Sequence, residues 1–405
     1  MKPAGEREIV VARAASESIR RGHPWIWRSA ITKGLEKVTA GEVVRIVAAD
    51  GSAVVGRGIA DPASPIAARV WVNGEAPMNG ALVDARIARA LRVRQQLFGG
   101  TAAADGGTTA YRLLHGEGDR TPGFVVDRYE HVAVLRLDGD AARAYADTFI
   151  PHLWKQLERT GVSTLVKREA GGDAKKEARA THVEGEPMPD VIVVREHGVP
   201  FVVDLARGQK TGAFLDQREN RRRVQEIVAS RKAKRVLNLF SYAGGFSLRA
   251  ALGGAERVTS VDIAANAHAT AQSSFKRAGV DPRAHEFVTA DAFAFLAEAK
   301  RAKRTWDVVV SDPPSFAPSE KALQRAIQAY RALHRACADV LADGGVLCAA
   351  SCSSHVDASD FAATLDDQSL GRSDLRLLSL DGPGEDHPTL PAWPEGRYLK
   401  FAVLE

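Results

Sequence analysis

The sequence contains little cysteine and no segment suited to export or to membrane insertion. Three cysteines occur in 405 residues, Cys337, Cys348 and Cys352, all in the last fifth of the chain. The cysteines are few, lie late in the chain and are odd in number, which argues against a disulfide framework and favours a reducing compartment. The N-terminal residues have no apolar core of the signal-peptide type, and no run approaches the length of a membrane span. These absences predict a cytosolic protein.

Charge is only weakly biased. Lys and Arg number 55 against 50 Asp and Glu, a formal net charge of +5. This mildly basic balance favours a polyanionic partner without selecting one. The hydrophobic fraction of 45% is ordinary for a globular protein. A chain of this length is expected to form two or three domains.

The first 73 residues are predicted to be compact and all-β. Between two of their strands lies the segment RRGHPWIWRS, in which Arg20, Arg21 and Arg28 alternate with Trp25 and Trp27. Basic residues beside aromatic ones suit contact with phosphates and exposed bases. The alternative is that the tryptophans belong to the core, which is the favoured interpretation for them, and that the arginines form a solvated rim. The strand candidates are 8–11, 41–48, 53–59 and 66–72.

The middle of the chain is predicted to form a small α/β domain without an evident catalytic constellation. Residues 81–98 have helical spacing, and residues 171–189 are polar, charged and interrupted, which predicts a mobile loop. The other predicted elements are a hairpin system over 111–137, a helix over 141–160, and strands over 163–167, 191–196 and 199–205.

Residues 235–262 read as strand, glycine turn, helix and strand. Gly244 and Gly245 allow a sharp turn, and Asp262 ends the second strand, at the sheet edge where ligands bind. This pattern predicts a nucleoside-cofactor site, with Asp262 accepting hydrogen bonds from ribose hydroxyls. The turn lacks the third glycine of the dinucleotide fingerprint, so a cofactor without pyrophosphate, such as S-adenosylmethionine, fits better.

The alternation of strands and helices continues after Asp262 and predicts a doubly wound parallel sheet. Asp291, the run Asp312-Pro313-Pro314 and Cys352 each follow a predicted strand. A glycine turn, three acids and a thiol at successive strand ends indicate a site. In an S-adenosylmethionine site, Asp291 would face the adenine amino group. Polar groups from Thr211 and from the helix start at 216–218 are expected at the rim of the same cleft.

A run of basic residues precedes this sheet. Arg221, Arg222 and Arg223 are consecutive, and four more basic residues lie between positions 231 and 235. Such a run suits either a solvated helix face or a nucleic-acid surface, and both interpretations remain open.

The chain resembles the large-subunit (23S) ribosomal RNA cytosine-C5 methyltransferases that carry an N-terminal PUA domain. The likeness rests on HPWIW, YRLLHGEGDRTPGFVVDRY, KTGAFLDQR, LNLFSYAGGFS, SDPPSF, SCSS and DHPTLPAWPEGRYLK, which span almost the whole sequence. It implies an α/β protein with a β-rich PUA domain (1–73), a small central α+β domain (74–197) and a Rossmann-like class I methyltransferase domain (198–405). The last domain would contain a mostly parallel seven-stranded sheet.

The resemblance also implies which residues act. Cys352 falls on the nucleophile, and a thiolate that adds to C6 of cytosine would activate C5 towards a methyl donor. Asp312 is placed to hydrogen-bond the N3/N4 edge of a base that has left its stack. The RNA-binding candidates are Arg20, Arg21, Trp25, Arg28 and Phe316, the last of which could instead pack under its loop. The cofactor candidates are Thr211, Phe214, Asp216, Gln217, Arg218, Phe240, Tyr242, Gly244, Gly245, Asp262, Asp291, Ala292, Asp312 and Pro313. No metal site is predicted.

Other functions stay open at this point. A guanine N-methyltransferase would need no nucleophile, although Ser315 stands where amino-group methyltransferases often have an aromatic residue. A ribosome-assembly factor that binds S-adenosylmethionine without catalysis is a further alternative. A nicotinamide dehydrogenase is disfavoured by the missing glycine. The expected partner is ribosomal RNA, naked or within a pre-ribosomal particle, with no membrane partner; a homodimer is left open.

Overall fold

The computed structural model describes residues 6–51, 53–99, 106–168, 180–208, 210–317 and 319–405. The chain divides into two compact units. The first comprises Met1–Ile192, Asp204–Ala213 and Glu385–Gly396, and the second comprises Val193–Val203, Phe214–Gly384 and Arg397–Glu405. The second and third segments of the first unit lie within the range expected for the methyltransferase domain. The boundaries at 73 and 197 stay a prediction.

The first unit begins with a six-stranded sheet in the order β2-β6-β5-β4-β1-β3. The expected strands are confirmed, but the all-β prediction is wrong because a helix, α1, follows β1. Gly22, in the left-handed conformation (φ 103°), ends α1, and only Ser16 and Ile19 of the helix are buried. The helix is short and mostly polar, so its sequence RAASESIRR has few apolar residues from which a buried face could be predicted. The elements are β1 Arg7–Val11, α1 Arg13–Arg21, β2 Trp25–Trp27, β3 Ile31–Lys33, β4 Val43–Val47, β5 Val54–Ala60 and β6 Ile66–Asn73.

A five-stranded sheet in the order β11-β10-β9-β8-β7 follows in the same unit. Helices α2 and α3 contribute to its apolar core, which includes Ile87, Phe149 and Leu135. Part of the expected mobile loop is a strand, β11, which pairs with β10; residues 171–179 of that loop lie outside the described residues. The elements are α2 Gly80–Phe98, β7 Ala110–His115, β8 Phe124–Tyr129, β9 Val132–Leu137, α3 Asp140–Leu157, β10 Thr164–Arg168 and β11 Ala180–Gly185.

A seven-stranded sheet in the order β16-β15-β14-β17-β18-β20-β19 forms the centre of the second unit. Five strands are parallel, and β20 and β19 are antiparallel to their neighbours. The mostly parallel sheet is confirmed. The C-terminal strand β20 is not an edge strand, because it lies between β18 and β19. The strands are β12 Val191–Glu196 and β13 Val199–Asp204, which pair separately, then β14 Arg235–Leu239, β15 Arg257–Asp262, β16 Glu286–Thr289, β17 Trp306–Ser311, β18 Leu341–Ser351, β19 Leu377–Asp381 and β20 Lys400–Leu404.

Helices cover both faces of this sheet. The central strands alternate between two cores: Leu237 and Leu239 face the one built by α7 and α8, whereas Val236 faces the one built by α4 and α5. With both faces buried, the strand ends are left to build a site. Within the described segments, no helix is both long and apolar enough to cross a membrane. The helices are α4 Arg218–Arg231, α5 Gly245–Leu252, α6 Ala265–Arg277, α7 Ala292–Arg301, α8 Leu323–Ala338, α9 Ala358–Ala362 and α10 Asp367–Leu370.

Candidate active site

The turn between β14 and α5 is tightly constrained. Phe240, Tyr242 and Gly244 all have positive φ, of 56°, 45° and 73°. A Cβ added to Gly244 would lie 2.7 Å from Ala271 Cβ, and one added to Gly245 would lie 2.6 Å from Arg221 Cδ. Both glycines are therefore required by close packing of protein against the turn.

The carboxylate of Asp262 fixes this turn from the neighbouring strand. Its Oδ2 accepts a hydrogen bond from the Tyr242 amide at 2.7 Å, and its Oδ1 accepts one from the Ala264 amide at 2.8 Å. Each oxygen keeps a second lone pair for a further donor. Asp262 can therefore hold ribose hydroxyls while it also sets the backbone that would surround the cofactor.

The residues around the turn fit a polar cofactor with an apolar portion. No side chain caps the N-terminus of α5, so its first amides suit an anionic group such as a carboxylate. Within the described structure, the buried Ser241 hydroxyl and the Gln217 side-chain nitrogen have no hydrogen-bond partner. The rings of Phe214 and Tyr242 pack edge to face at 5.5 Å and are each half-buried.

The segment at the start of α4 is held by its own contacts. Asp216 accepts a hydrogen bond from the Tyr398 hydroxyl at 2.8 Å, and Gln217 Oε1 accepts one from Asn220 at 2.6 Å. Arg218 is buried and donates to Glu219 at 2.9 Å. The predicted polar groups at this helix start therefore form an ordered set in the second unit.

Thr211 has a different environment from the other predicted cofactor residues. It belongs to the first unit, where its hydroxyl donates to Asp127 Oδ2 at 2.5 Å and lies 3.0 Å from the Tyr129 hydroxyl. The same tyrosine accepts a hydrogen bond from the Ala213 amide at 3.1 Å. These contacts anchor the strand-free segment that leads to Phe214.

The structure places Asp291 at the N-cap of α7. Its Oδ1 accepts a hydrogen bond from the Ala294 amide at 2.9 Å, and the residue is exposed. Ala292, the first residue of the helix, has its side chain in the apolar core. Asp291 therefore stabilises a helix start, and its carboxylate keeps capacity to accept a hydrogen bond from an adenine amino group.

Cys352 follows β18 directly and lies beside the end of β17. Its Sγ is 3.9 Å from the Pro313 carbonyl oxygen, and the residue is half-buried. Cys337 and Cys348 are fully buried, and burial raises the pKa of each thiol to about 12. Cys352 is therefore the accessible thiol, and it lies at the strand edge that also carries Asp312.

A buried lysine, which the sequence analysis did not single out, lies beside this thiol. Lys400 Nζ donates to the carbonyl oxygens of Ser353 (2.6 Å), Val356 (2.6 Å) and Tyr398 (2.8 Å). Burial lowers its pKa to about 8, and the negative charges of Cys352 and Asp357 oppose that shift. The sequence signal was present: a lysine begins the otherwise apolar strand KFAVL.

A hydroxyl cluster holds the loop on the other side of the thiol. The Ser353 hydroxyl lies 3.0 Å from both the Ser315 and the Tyr330 hydroxyls. Burial raises the pKa of Tyr330, and Cys352 and Asp312 act in the same direction. Phe316 packs on Tyr330 with ring centroids 4.9 Å apart. This contact favours the alternative in which Phe316 packs under its loop over a role in RNA binding.

The predicted RNA-binding residues of the first unit are largely exposed. Arg20, Arg21 and Arg28 face solvent. Trp25 is half-buried and donates from its indole nitrogen to Glu117 at 2.7 Å. The core interpretation is wrong for Trp27, which is 43% exposed: Ile26 faces the core in this short strand, and its neighbours point to the other side.

The basic run in α4 is paired with acidic residues. Arg221 is buried and binds both oxygens of Glu196. Arg222 pairs with Glu226, and Arg223 pairs with Asp381. These pairs favour a structural role for the run. Among the described residues, no group of three or more histidine, cysteine or acidic side chains is arranged to hold a metal.

Family models match two parts of the chain. Residues 9–73 match a PUA-like domain. Residues 172–371 match the S-adenosylmethionine-dependent methyltransferases. The cofactor is thus S-adenosylmethionine, in agreement with the geometry of the turn.

Full-length relatives and solved structures agree with these matches. A "Ribosomal RNA large subunit methyltransferase" of Deinococcus radiodurans is 38% identical over 98% of this chain and 96% of its own. A "Ribosomal RNA large subunit methyltransferase I" of Aliivibrio fischeri is 35% identical, with 97% of each chain covered. A Streptococcus mutans chain described as a SAM-dependent methyltransferase has the same fold, with a TM-score of 0.83, 22% identity and coverage of 98% and 99%. The chain therefore belongs to the ribosomal RNA large subunit methyltransferase family, which joins a PUA-like domain to an S-adenosylmethionine-dependent methyltransferase domain.

Proposed function

We propose that the protein methylates C5 of a cytosine in large-subunit ribosomal RNA, with Cys352 as a covalent nucleophile. The observation that carries the proposal is the position of this thiol. It is half-buried, it lies at the strand edge of Asp312, and it is 3.9 Å from the Pro313 carbonyl oxygen. The names of the relatives supply the RNA class, since each acts on the ribosomal large subunit.

The chemistry requires a nucleophile because C5 of cytosine is too weakly nucleophilic to accept a methyl group directly. The Cys352 thiolate adds to C6, and the electron pair of the C5–C6 double bond becomes available at C5, which forms the new bond to carbon. A base then removes the C5 proton, the C5–C6 double bond re-forms and the thiolate leaves. S-adenosylmethionine, when bound, supplies the electrophilic methyl group and retains the electron pair of the broken bond.

Residues of this chain would prepare each part of that reaction. Lys400, as an ammonium beside Cys352, stabilises the thiolate. The Ser353 cluster and the three carbonyl contacts of Lys400 hold the loop that follows the nucleophile. Asp312 would hydrogen-bond the N3/N4 edge of the base and stabilise the adduct. The turn at 240–245 and Asp262 would hold the cofactor.

Replacement of Cys352 tests the proposal. Wild-type protein and the Cys352→Ala variant are incubated with isotopically labelled S-adenosylmethionine and large-subunit RNA from cells that lack this protein. Nucleosides are then identified by mass spectrometry. We expect 5-methylcytidine with the wild type, and a loss of at least about 1,000-fold in the variant, since covalent catalysis is removed. Cys348→Ala, which removes a fully buried thiol that no proposed step uses, is the matched control.

Other outcomes separate the alternatives. Methylated guanine with unchanged turnover in Cys352→Ala would identify an N-methyltransferase. Binding of S-adenosylhomocysteine without methyl transfer to naked RNA or to large-subunit particles would identify an assembly factor. A comparison of naked RNA with particles also defines the substrate. A cytoplasmic location remains a prediction.

A further inference from the structure

The first unit contains an arginine-rich groove that the methyl-transfer site does not use. It has a volume of about 590 Å³ and lies between the end of β6, one face of α2 and the turn after β7. Four arginines and two carboxylates are among the residues that line it. The charged lining residues are Arg86, Arg89, Arg94, Arg120, Asp119 and Glu385.

One of the four arginines is neutralised within the protein. Arg94 is buried and binds both oxygens of Asp119, at 2.8 and 2.7 Å. That carboxylate also accepts a hydrogen bond from the His115 amide at 2.7 Å. The single negative charge of Asp119 is therefore already paired with Arg94, and Glu385 is an exposed residue at the rim.

The other three arginines face one another without a carboxylate partner among the described residues. Arg86 donates to the carbonyl oxygens of Trp71 and Arg120, and its guanidinium lies 5.4 Å from the Trp71 ring centroid. Burial lowers the pKa of Arg86 to about 10, and the charge of Arg120 adds to that shift. The charge of Arg89 adds to the effect of burial in lowering the pKa of Arg120. A bound anion would relieve this repulsion.

The groove continues into the basic end of α1. Arg120 Nη1 lies 3.5 Å from the carbonyl oxygen of Gly22, the residue that ends this helix directly after Arg20 and Arg21. The exposed Arg20 and Arg21 thus precede a residue that contacts Arg120, so basic residues continue beyond the groove over more than the size of one phosphate group. A chain of phosphates matches such a basic surface, and guanidinium groups bind phosphate oxygens in pairs.

We propose that this groove binds the phosphodiester backbone of RNA through Arg86, Arg89 and Arg120. The proposal rests on the proposed function, which makes RNA the substrate, and it adds a docking surface in the first unit. The arginines contact phosphates and not base edges, so they would position the RNA without reading its sequence.

Neutralisation of two exposed groove arginines tests the proposal. Arg86 is left intact because its contacts to Trp71 support the fold. The variant Arg89→Gln/Arg120→Gln is compared with wild type for binding to fluorescently labelled large-subunit RNA over a range of salt concentrations. We expect affinity about tenfold lower, and a salt slope of log K that falls by about 1.4 to 1.8 for two lost phosphate contacts. A change that is merely structural would leave this slope unaltered.

Matched variants make the result decisive. Arg159→Gln removes an exposed arginine elsewhere in the same unit and should leave both affinity and slope unchanged. Arg89→Glu, which changes one exposed side chain, should weaken binding more than Arg89→Gln, and it serves if the double variant folds poorly. Wild-type affinity and slope in Arg89→Glu and in the folded double variant would overturn the proposal.

The same preparations separate the two proposals. If Cys352→Ala abolishes methylation and the arginine variants bind RNA normally, the groove proposal fails and the methyltransferase proposal stands. If the wild type transfers no methyl group to RNA and the arginine variants still bind RNA weakly, the catalytic proposal fails and the surface stands. Equal loss of binding to RNA and to a poly-glutamate peptide would indicate a general anion surface and would overturn the assignment to RNA.

Discussion

The three thiols of this chain differ in burial, and we expect them to differ in reactivity for that reason. Cys337 and Cys348 are completely enclosed, which raises the pKa of each to about 12, whereas Cys352 is half-exposed beside a lysine. Thiolates are the reactive form. Iodoacetamide should therefore modify the folded protein once, at Cys352.

The measurement is peptide mapping by mass spectrometry after a short exposure. The same reagent on protein unfolded in guanidinium should modify all three cysteines, which is the internal control. Comparable modification of Cys348 in the folded protein would contradict the assignment of a single accessible thiol.

Lys400 should set the pH at which Cys352 becomes reactive. The ammonium stabilises the neighbouring thiolate, so Lys400→Met should move the midpoint of Cys352 alkylation, followed against pH, to higher pH. The acid limb of the pH profile of kcat/KM should move in the same direction. Lys276→Met, an exposed lysine on α6, is the control and should change neither curve.

The same lysine links folding to pH with a defined sign. The folded chain releases the Lys400 proton near pH 8, whereas the unfolded chain retains it up to about the ordinary pKa of 10.5. Between these values the unfolded state binds more protons, so the contribution of Lys400 to the free energy of unfolding rises with pH. Urea unfolding should show this rise in wild type and a smaller one in Lys400→Met.

At the level of elements, the turn before α5 needs a glycine at position 244, because helix α6 packs too close for a side chain there. Gly244 has φ 73°, and an added Cβ would meet Ala271 of α6 at 2.7 Å. We expect Gly244→Ala to lower the free energy of unfolding by about 1–2 kcal/mol for the backbone and by about 1–3 kcal/mol more for the overlap. Affinity for S-adenosylhomocysteine should fall as well.

Gly254 provides the matched control for that prediction. It also has positive φ, 99°, but a Cβ there would meet nothing within 4 Å. Gly254→Ala should therefore cost only the backbone contribution, and it should leave ligand affinity unchanged in calorimetric titration. Equal losses in the two variants would show that contact with α6 does not restrict the turn.

Sequence patterns predicted most of these elements because the strongest pattern comes from residues that are buried on two sides. The central strands of the second unit, such as β14 and β17, are short apolar runs between turn residues, and their order along the chain indicates the parallel sheet. Helix α1 and strand β19 were missed because each buries little: two residues of α1, and none of β19 fully.

Some residues of the candidate site can likewise be predicted from sequence patterns, and others cannot. Glycines, acids and a cysteine after strands can be read directly, since strand ends meet at one edge. Lys400 could not be placed, because the position of β20 between β18 and β19 depends on long-range pairing. The packing reason for Gly244 was equally inaccessible, because it depends on Ala271, which lies on another helix.

At the level of the whole molecule, acid stability should depend on Glu219. Burial alone would raise its pKa, but the hydrogen bonds and charges of His197 and Arg218 lower it to about 2, against an ordinary value of 4.5. A carboxyl group with a depressed pKa in the folded state contributes stability above its unfolded pKa and loses it as pH falls towards the folded value. The difference in unfolding free energy between wild type and Glu219→Gln should therefore shrink from pH 4.5 to pH 2.

Urea unfolding at several pH values checks this expectation. Glu226→Gln, on the same helix and in an exposed i,i+4 pair with Arg222, is the control and should differ from wild type by less than about 1 kcal/mol. A constant difference between Glu219→Gln and wild type down to pH 2 would contradict the role given to Glu219.

The pairing of β20 with β18 has one more consequence. Lys400 lies opposite Ser351, the residue before Cys352, the proposed nucleophile. Neighbouring side chains on a strand point to opposite faces, so a slip of one residue would carry the ammonium group to the far side of the sheet. Most apolar contacts could be regained after such a slip, but the sulfur would lose its cation. The proposed methyl transfer would thus require the correct register of the last strand, as folding does. A molecule with the shifted register would keep most of its packing but would not transfer the methyl group.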